Sequence, residues 1–375
     1  MRTALILSGG GARAAYQVGV LKALAELLPE NTPNPFTIIC GTSAGAINAA
    51  KLATEIDDFP KAISGLEDIW TNLTSESVHR VDYFTVLKSI VKILGSFFHS
   101  GIAQGKPLSL FDNRPLFYLL KRTIDMSRLN TMITQEHLHA LCINALGYTS
   151  GQNISFFQGH PSIESWKKAR RLGLPTSLQH KHLMASSAIP AVFPSIRINR
   201  EYFGDGAVRQ SAPLSAPLEM GAEKILVIGV SGNEDEIERL PTVHSPSIAQ
   251  VFGHMLNSAF IDAMDEDLSI LERFNKLARN MAPEQRKALN IAPVDVLIIK
   301  PTIKFDQLAQ QYEHLLPQSM RFLLSIIGAN RKGSGTSLAS YILFEKAYCQ
   351  ALIESGYQDA MRQADEIRSF LDIEH

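Results

Sequence analysis

Phe36-Thr37-Ile38-Ile39-Cys40 runs without a break into Gly41-Thr42-Ser43-Ala44-Gly45-Ala46. The first part is apolar or β-branched at nearly every position, which is the pattern of a strand buried on both faces. Gly41 and Gly45 then bracket a serine where the chain must turn, and an alanine-rich helix follows from about Ala44 to Thr54. The N-terminus repeats this order. Ala4-Leu5-Ile6-Leu7 reads as a buried strand, Ser8 to Gly11 break it, and a helix runs from about Ala12 to Leu28, closed by Pro29. Strand, helix, strand, helix predicts a parallel sheet with right-handed crossovers, an α/β fold.

Further along the chain, strands are expected at His137 to Leu146 and Asn153 to Phe157, around a turn at Ser150-Gly151, and at Ile196 to Phe203 and Lys224 to Val230. Asp112 reads as the cap of a helix reaching Leu120, and Ser177 to Ile189 as a short helix stopped by Pro190. Val86, Leu87, Ile90, Val91, Leu94, Phe97 and Phe98 form an amphipathic stretch, either a candidate lid or docking surface or a buried core helix. Lys167-Lys168-Ala169-Arg170-Arg171 reads as a solvated helix face, ahead of a patch for lipid headgroups. Beyond the polar, proline-marked segment 233–246, the pattern is helical except for a strand at Val294 to Lys300. The expected organisation is an α/β domain over residues 1–232 and a mostly helical region over 233–375, packed on the same globule.

The 36 Lys and Arg nearly cancel the 37 Asp and Glu, which argues against a nucleic-acid partner. Cys40, Cys142 and Cys349 are too few and too scattered for a disulfide framework or a zinc site, so reduced thiols are expected. Ala4 to Leu7 is too short for a signal-peptide core, and no stretch approaches the roughly 18 to 20 apolar residues of a spanning helix. The expectation is a cytoplasmic chain with at most peripheral membrane contact.

Gly41-x-Ser43-x-Gly45 at a strand-to-helix turn leaves a serine uncrowded beside a helix N-terminus, where developing negative charge is stabilised. The bland alternative is that Ser43 merely caps the helix. Gly9-Gly10-Gly11-Ala12-Arg13-Ala14 matches a dinucleotide-binding fingerprint, but Cys40 stands at the end of the second strand, where that motif wants an acid. A row of side-chain-free amides aimed at a developing oxyanion is the competing reading. Asp205, in Gly204-Asp205-Gly206-Ala207, is a carboxylate freed by flanking glycines, though Asp-Gly is also a common turn. No histidine sits in a comparable turn, and the His137/His139 and His180/His182 pairs lack an acidic or cysteine partner at ligand spacing, so no metal site is expected.

Taken in chain order, the glycine loop, the serine elbow and the Asp-Gly-Ala tripeptide resemble the patatin-like phospholipase family over about residues 4–230. Ala185-Ser186-Ser187-Ala188-Ile189-Pro190-Ala191-Val192-Phe193-Pro194 looks like the segment these proteins carry before their aspartate. The resemblance implies a three-layer α/β/α fold with a mostly parallel central sheet, here followed by the helical C-terminal region. It implies Ser43 as nucleophile and Asp205 as proton acceptor, with Gly10 and Gly11 amides and nearby Arg13 forming the oxyanion hole. Gly9, Gly41, Gly45, Gly206 and Ala207 complete the motifs, and Ala14 departs from the family by replacing a final glycine. The implied activity is hydrolysis of lipid esters, of phospholipase A or lysophospholipase type, without cofactor and at a membrane or micelle surface. An acyltransferase using the same acyl-enzyme, or a non-catalytic nucleotide- or lipid-binding protein, would carry similar motifs.

Overall fold

The strands are β1 (Thr3–Leu7), β2 (Ile38–Thr42), β3 (Ala140–Gly147), β4 (Asn153–Gly159), β5 (Trp166–Lys168), β6 (Arg171–Pro175), β7 (Ile196–Ile198), β8 (Glu201–Asp205), β9 (Lys224–Ile228) and β10 (Asp295–Ile299). They belong to a computed structural model that describes residues 2–29, 32–80, 82, 109–210, 212–231, 247–260, 262–289, 292–326 and 336–373. One sheet carries them in the order β10-β9-β1-β2-β3-β4-β6-β5, with β8 pairing to both β3 and β7. From β10 to β3 every neighbour is parallel.

Every residue of β1, β2 and β9 is buried, because the sheet is covered on both faces. Period-two alternation divides their side chains. Leu5 and Leu7 of β1 join one apolar cluster, while Ala4 and Ile6 join the other. The first cluster is roofed by α1 (Ala15–Leu27), α2 (Ala44–Thr54), α3 (Phe59–Thr71) and the helix Lys346–Arg362. The second is closed by Leu214, Ala216 and Met220 around the helix Ser215–Glu219, and by Leu268 and Leu271 of the helix Asp262–Asn280. These are the three layers that the resemblance implies.

Several local expectations are corrected. Ile196 to Phe203 is a hairpin rather than one strand: β7 and β8 pair antiparallel across Asn199, whose φ is 54°. The basic run 167–171 is the β5–β6 hairpin, with Arg170 at φ 60° in its turn, and not a helix face. The helix expected to be capped by Asp112 starts at Arg114, although the Asp112 carboxylate does accept from the Arg114 N–H. The amphipathic stretch at residues 86–98 and the segment 233–246 lie outside the described residues.

The C-terminal half packs against both the sheet and its covering helices. β10 extends the parallel ladder beside β9. The helix Lys346–Arg362 crosses α1 so closely that a Cβ on Gly356 would lie 2.1 Å from the Tyr16 carbonyl oxygen. Beside that crossing, the Tyr16 hydroxyl donates to Asp359 Oδ2 at 3.1 Å. An alanine inside a helix normally gains up to about 1 kcal/mol over glycine. Here overpacking, which typically costs about 1–3 kcal/mol, should win. Gly356→Ala is therefore expected to lower the urea midpoint; a raised midpoint would mean the helices can part at no cost.

Candidate active site

Strand register brings Ser43 and Asp205 together. β4 occupies one edge of β3 from Ala140 to Leu146. The other edge carries β2 as far as the pair Thr42 and Asn144, and then β8, beginning with Ala145 opposite Asp205. β2 runs parallel to β3 and β8 antiparallel, so the two approach each other head-on along one edge. Ser43 follows the last residue of β2, and Asp205 is the last residue of β8.

Ser43 has φ 56° and ψ −129°, a region that L-residues seldom occupy. It precedes α2, yet its hydroxyl makes no capping bond to the helix, so capping does not account for a serine here. Its backbone N–H donates to Ser186 Oγ at 2.8 Å, and the Ser186 hydroxyl donates to the Asn144 carbonyl at 2.6 Å. Strained backbone of this kind costs about 1–3 kcal/mol and persists only where neighbours hold it. Gly45 is part of that support, since a Cβ there would stand 2.2 Å from the Leu7 carbonyl oxygen. Without a side chain, α2 can begin directly against the end of β1.

Asp205 is fully buried. Its Oδ1 accepts from the Ala207 N–H at 3.0 Å, and its own N–H donates to the Ala188 carbonyl at 2.9 Å. Oδ2 is buried and has no well-aligned hydrogen bond among the described residues, although the Ser43 hydroxyl is near enough to act on the carboxyl. Burial pushes Asp205 up to about 7, against the opposing pull of the Ser43 hydroxyl and the Ala207 N–H. A carboxylate tuned towards neutrality is a far better proton acceptor than one near its ordinary value.

The glycine-rich turn ends in a single 3-10 turn, Gly11–Ala14, between β1 and α1. It is tied to the elbow helix through Asn48. That amide donates to the Ala14 carbonyl at 3.1 Å and to Gln17 Oε1 at 2.9 Å, and accepts from the Trp70 indole at 2.8 Å. Gln17 in turn donates to the Ser8 carbonyl at 2.8 Å. Gly11 and Ser43 both line one pocket, part of it open to solvent. Its remaining wall is mostly apolar and includes Ile47, Leu66, Ile69, Leu119, Leu120 and Phe193.

Arg13 departs from the expectation. Its guanidinium turns into the C-terminal half, where Ser340, Asp306, Tyr341 and Asn257 accept its donors. Behind the pocket residues Phe193 and Phe344, and stacked on Phe111, His79 is fully buried, and burial pushes it down to about 4, so it stays neutral. Among the described residues, no group of three or more His, Cys, Asp or Glu could hold a metal ion. The sequence of the segment Ala185 to Pro194 assigns no role to any single residue. The structure gives Ser186 the bridge beneath Ser43 and gives Ala188 the backbone bond to Asp205.

The model of the family described as patatin-like phospholipase matches residues 5–218. This chain belongs to the patatin-like phospholipase family. Over 245 residues the patatin-like chain is 26% identical to a cGAMP-activated phospholipase of Pseudomonas aeruginosa, covering 60% of this chain and 61% of that one. Over 239 residues it is 27% identical to triacylglycerol lipase 4 of Saccharomyces cerevisiae, covering 58% of this chain and 23% of the lipase. The match thus spans about three fifths of the first relative's length and under a quarter of the second's. Among solved structures, VipD from Legionella pneumophila is similar over 97% of this chain and 67% of its own, with a TM-score of 0.37 and 15% identity.

Proposed function

We propose that this chain hydrolyses the acyl esters of lipids, as a phospholipase A or lysophospholipase, through an acyl-enzyme on Ser43. The observation that carries this reading is an elbow serine, beside a buried carboxylate near pKa 7, opening onto an apolar pocket. Ser43 Oγ attacks the ester carbonyl carbon while Asp205 Oδ2 takes its proton. The oxyanion is stabilised by the amides of Gly10 and Gly11 and by the N-terminus of α2. Collapse of the tetrahedral intermediate breaks the bond to the alcohol, which leaves with the proton from Asp205. Water then attacks the acyl carbon, giving up its proton to Asp205, and Ser43 is restored as the free acid departs.

The pocket wall suits an alkyl chain, because each buried methylene contributes about 0.8 kcal/mol. Long-chain lipids present their esters at an interface, so action at a membrane or micelle surface belongs to the same reading. No helix among the described residues is long and apolar enough to cross a membrane.

The test is mass spectrometry of products from a mixed lipid extract, with wild type beside Leu119→Trp. Free fatty acid is expected from glycerophospholipids or lysophospholipids. The enlarged side chain should fill room for two or three methylenes, cutting release of long acids by about tenfold or more while sparing short ones. No fatty acid from any lipid class would sink the reading, and transfer of the acyl group to an added alcohol instead of water would make the chain an acyltransferase.

A further inference from the structure

The C-terminal segment around the helix Thr336–Ile342 lies well beyond residues 5–218, yet it touches both the glycine-rich turn and the pocket. Gly11 has φ +56°, and a Cβ on it would lie 2.1 Å from the Tyr341 carbonyl oxygen. Phe344 lines the same pocket as Ser43. The Arg13 side chain, only 4% exposed, reaches the same segment at Ser340 and Tyr341.

A guanidinium has five N–H donors in a fixed fork. Arg13 Nε donates to Ser340 Oγ at 2.9 Å. Nη1 donates to the Tyr341 hydroxyl at 3.1 Å and to Asn257 Oδ1 at 3.4 Å. Nη2 donates to Asp306 Oδ1 at 2.6 Å and to Ser340 Oγ at 2.7 Å. The plane also lies 4.0 Å over the Tyr341 ring. These contacts occupy the whole fork, so none of it is left to point at a reacting oxygen. All of them reach residues at least 244 positions away in the chain, while the Arg13 N–H closes the turn on the Gly10 carbonyl at 3.1 Å.

We infer that Arg13 is a positioning residue: anchored by Asp306 and Ser340, it clamps the Gly10–Gly11 turn so that its amides are preorganised for the oxyanion. This rests on the hydrolase reading of Ser43 above. It assigns the C-terminal region a part in catalysis, through the rigidity of a loop and not through contact with substrate. A rigid donor pair acts on the transition state and little on the bound ester. Loosening it should therefore lower kcat and leave KM nearly alone.

Hydrogen exchange of peptides spanning residues 8–14 and steady-state ester kinetics test this together, on the full chain. Asp306→Asn and Ser340→Ala should each speed exchange in that turn by about tenfold, with exchange in β2 unchanged. Both should lower kcat by about ten- to a hundredfold with KM within about twofold. Asp306→Glu, which keeps the charge and the acceptor, should recover most of the loss. Unchanged exchange in the turn overturns the clamp, and so does faster exchange with wild-type kcat. If wild type cleaves no ester while the turn still responds in exchange, the hydrolase reading falls and the clamp stands.

Discussion

Ser43→Ala is expected to abolish ester hydrolysis, by at least about 10⁴-fold in kcat, while leaving thermal stability within a degree or two of wild type. Stability should hold because the hydroxyl makes no capping bond and its pull on the Asp205 carboxyl is smaller than the burial it opposes. What fixes the elbow is the Ser43 backbone N–H, which alanine keeps. A fluorophosphonate should label wild type at one serine. Among the described residues, Ser186 and Ser187 adjoin the elbow and its pocket. Ser186 is held by its bonds to the Ser43 N–H and the Asn144 carbonyl. Ser187 lines the same pocket, and its buried hydroxyl has no partner among the described residues. Peptide mapping therefore discriminates: a label on Ser187, or one that survives in Ser43→Ala, would move the nucleophile off the elbow.

The parts of this molecule that were legible in the sequence are those whose cause is local. β1 and β2 are continuously apolar because both faces of the sheet are covered, and α2 spans Ala44–Thr54 because a glycine-bracketed turn precedes a run of strong helix formers. The same holds for the candidate site, where small residues are demanded by close backbone approach, as at Gly45 against Leu7. Readings failed where a single residue in an uncommon conformation redirects the chain. Asn199 and Arg170, both at positive φ, each fold an expected straight element into a hairpin. They failed again where the determining partner is remote. Arg13 follows the glycines as an oxyanion residue would, but its destination is set by Asn257, Asp306, Ser340 and Tyr341, which no local pattern connects to it. Ser186 could have been found only by knowing that β3 and the elbow are adjacent, because its two bonds run to the Asn144 carbonyl and the Ser43 amide.

Asp205→Asn should lose about 10² to 10⁴ in rate and at the same time become more stable above neutral pH. The substitution preserves shape: the amide oxygen can still accept from the Ala207 N–H, and its NH₂ would take the place of Oδ2 towards Ser43. What is lost is the lone pair that accepts the serine proton, so fluorophosphonate labelling of Ser43 should slow in parallel with hydrolysis. Because burial raises Asp205 to about 7, wild-type kcat/KM should climb with pH and level off just above that value, and the residual activity of the variant should lack this rise. The stability effect has the opposite sense. A carboxyl raised in the folded state binds a proton that the unfolded chain has already released, so its contribution to stability falls as pH rises from about 4 to 7 and is flat beyond. The charged form is a burden on the fold, of the order of a few kcal/mol, that asparagine does not carry. Denaturation at pH 8 should therefore find the variant the more stable protein, with the advantage shrinking towards pH 4. His79→Gln removes the neutral ring packed beside Phe193 and should keep most activity in every fraction that folds. A folded histidine variant as inactive as Asp205→Asn would transfer the role of base to that histidine, and an active Asp205→Asn would leave Asp205 as the turn residue its bond to Ala207 already makes it.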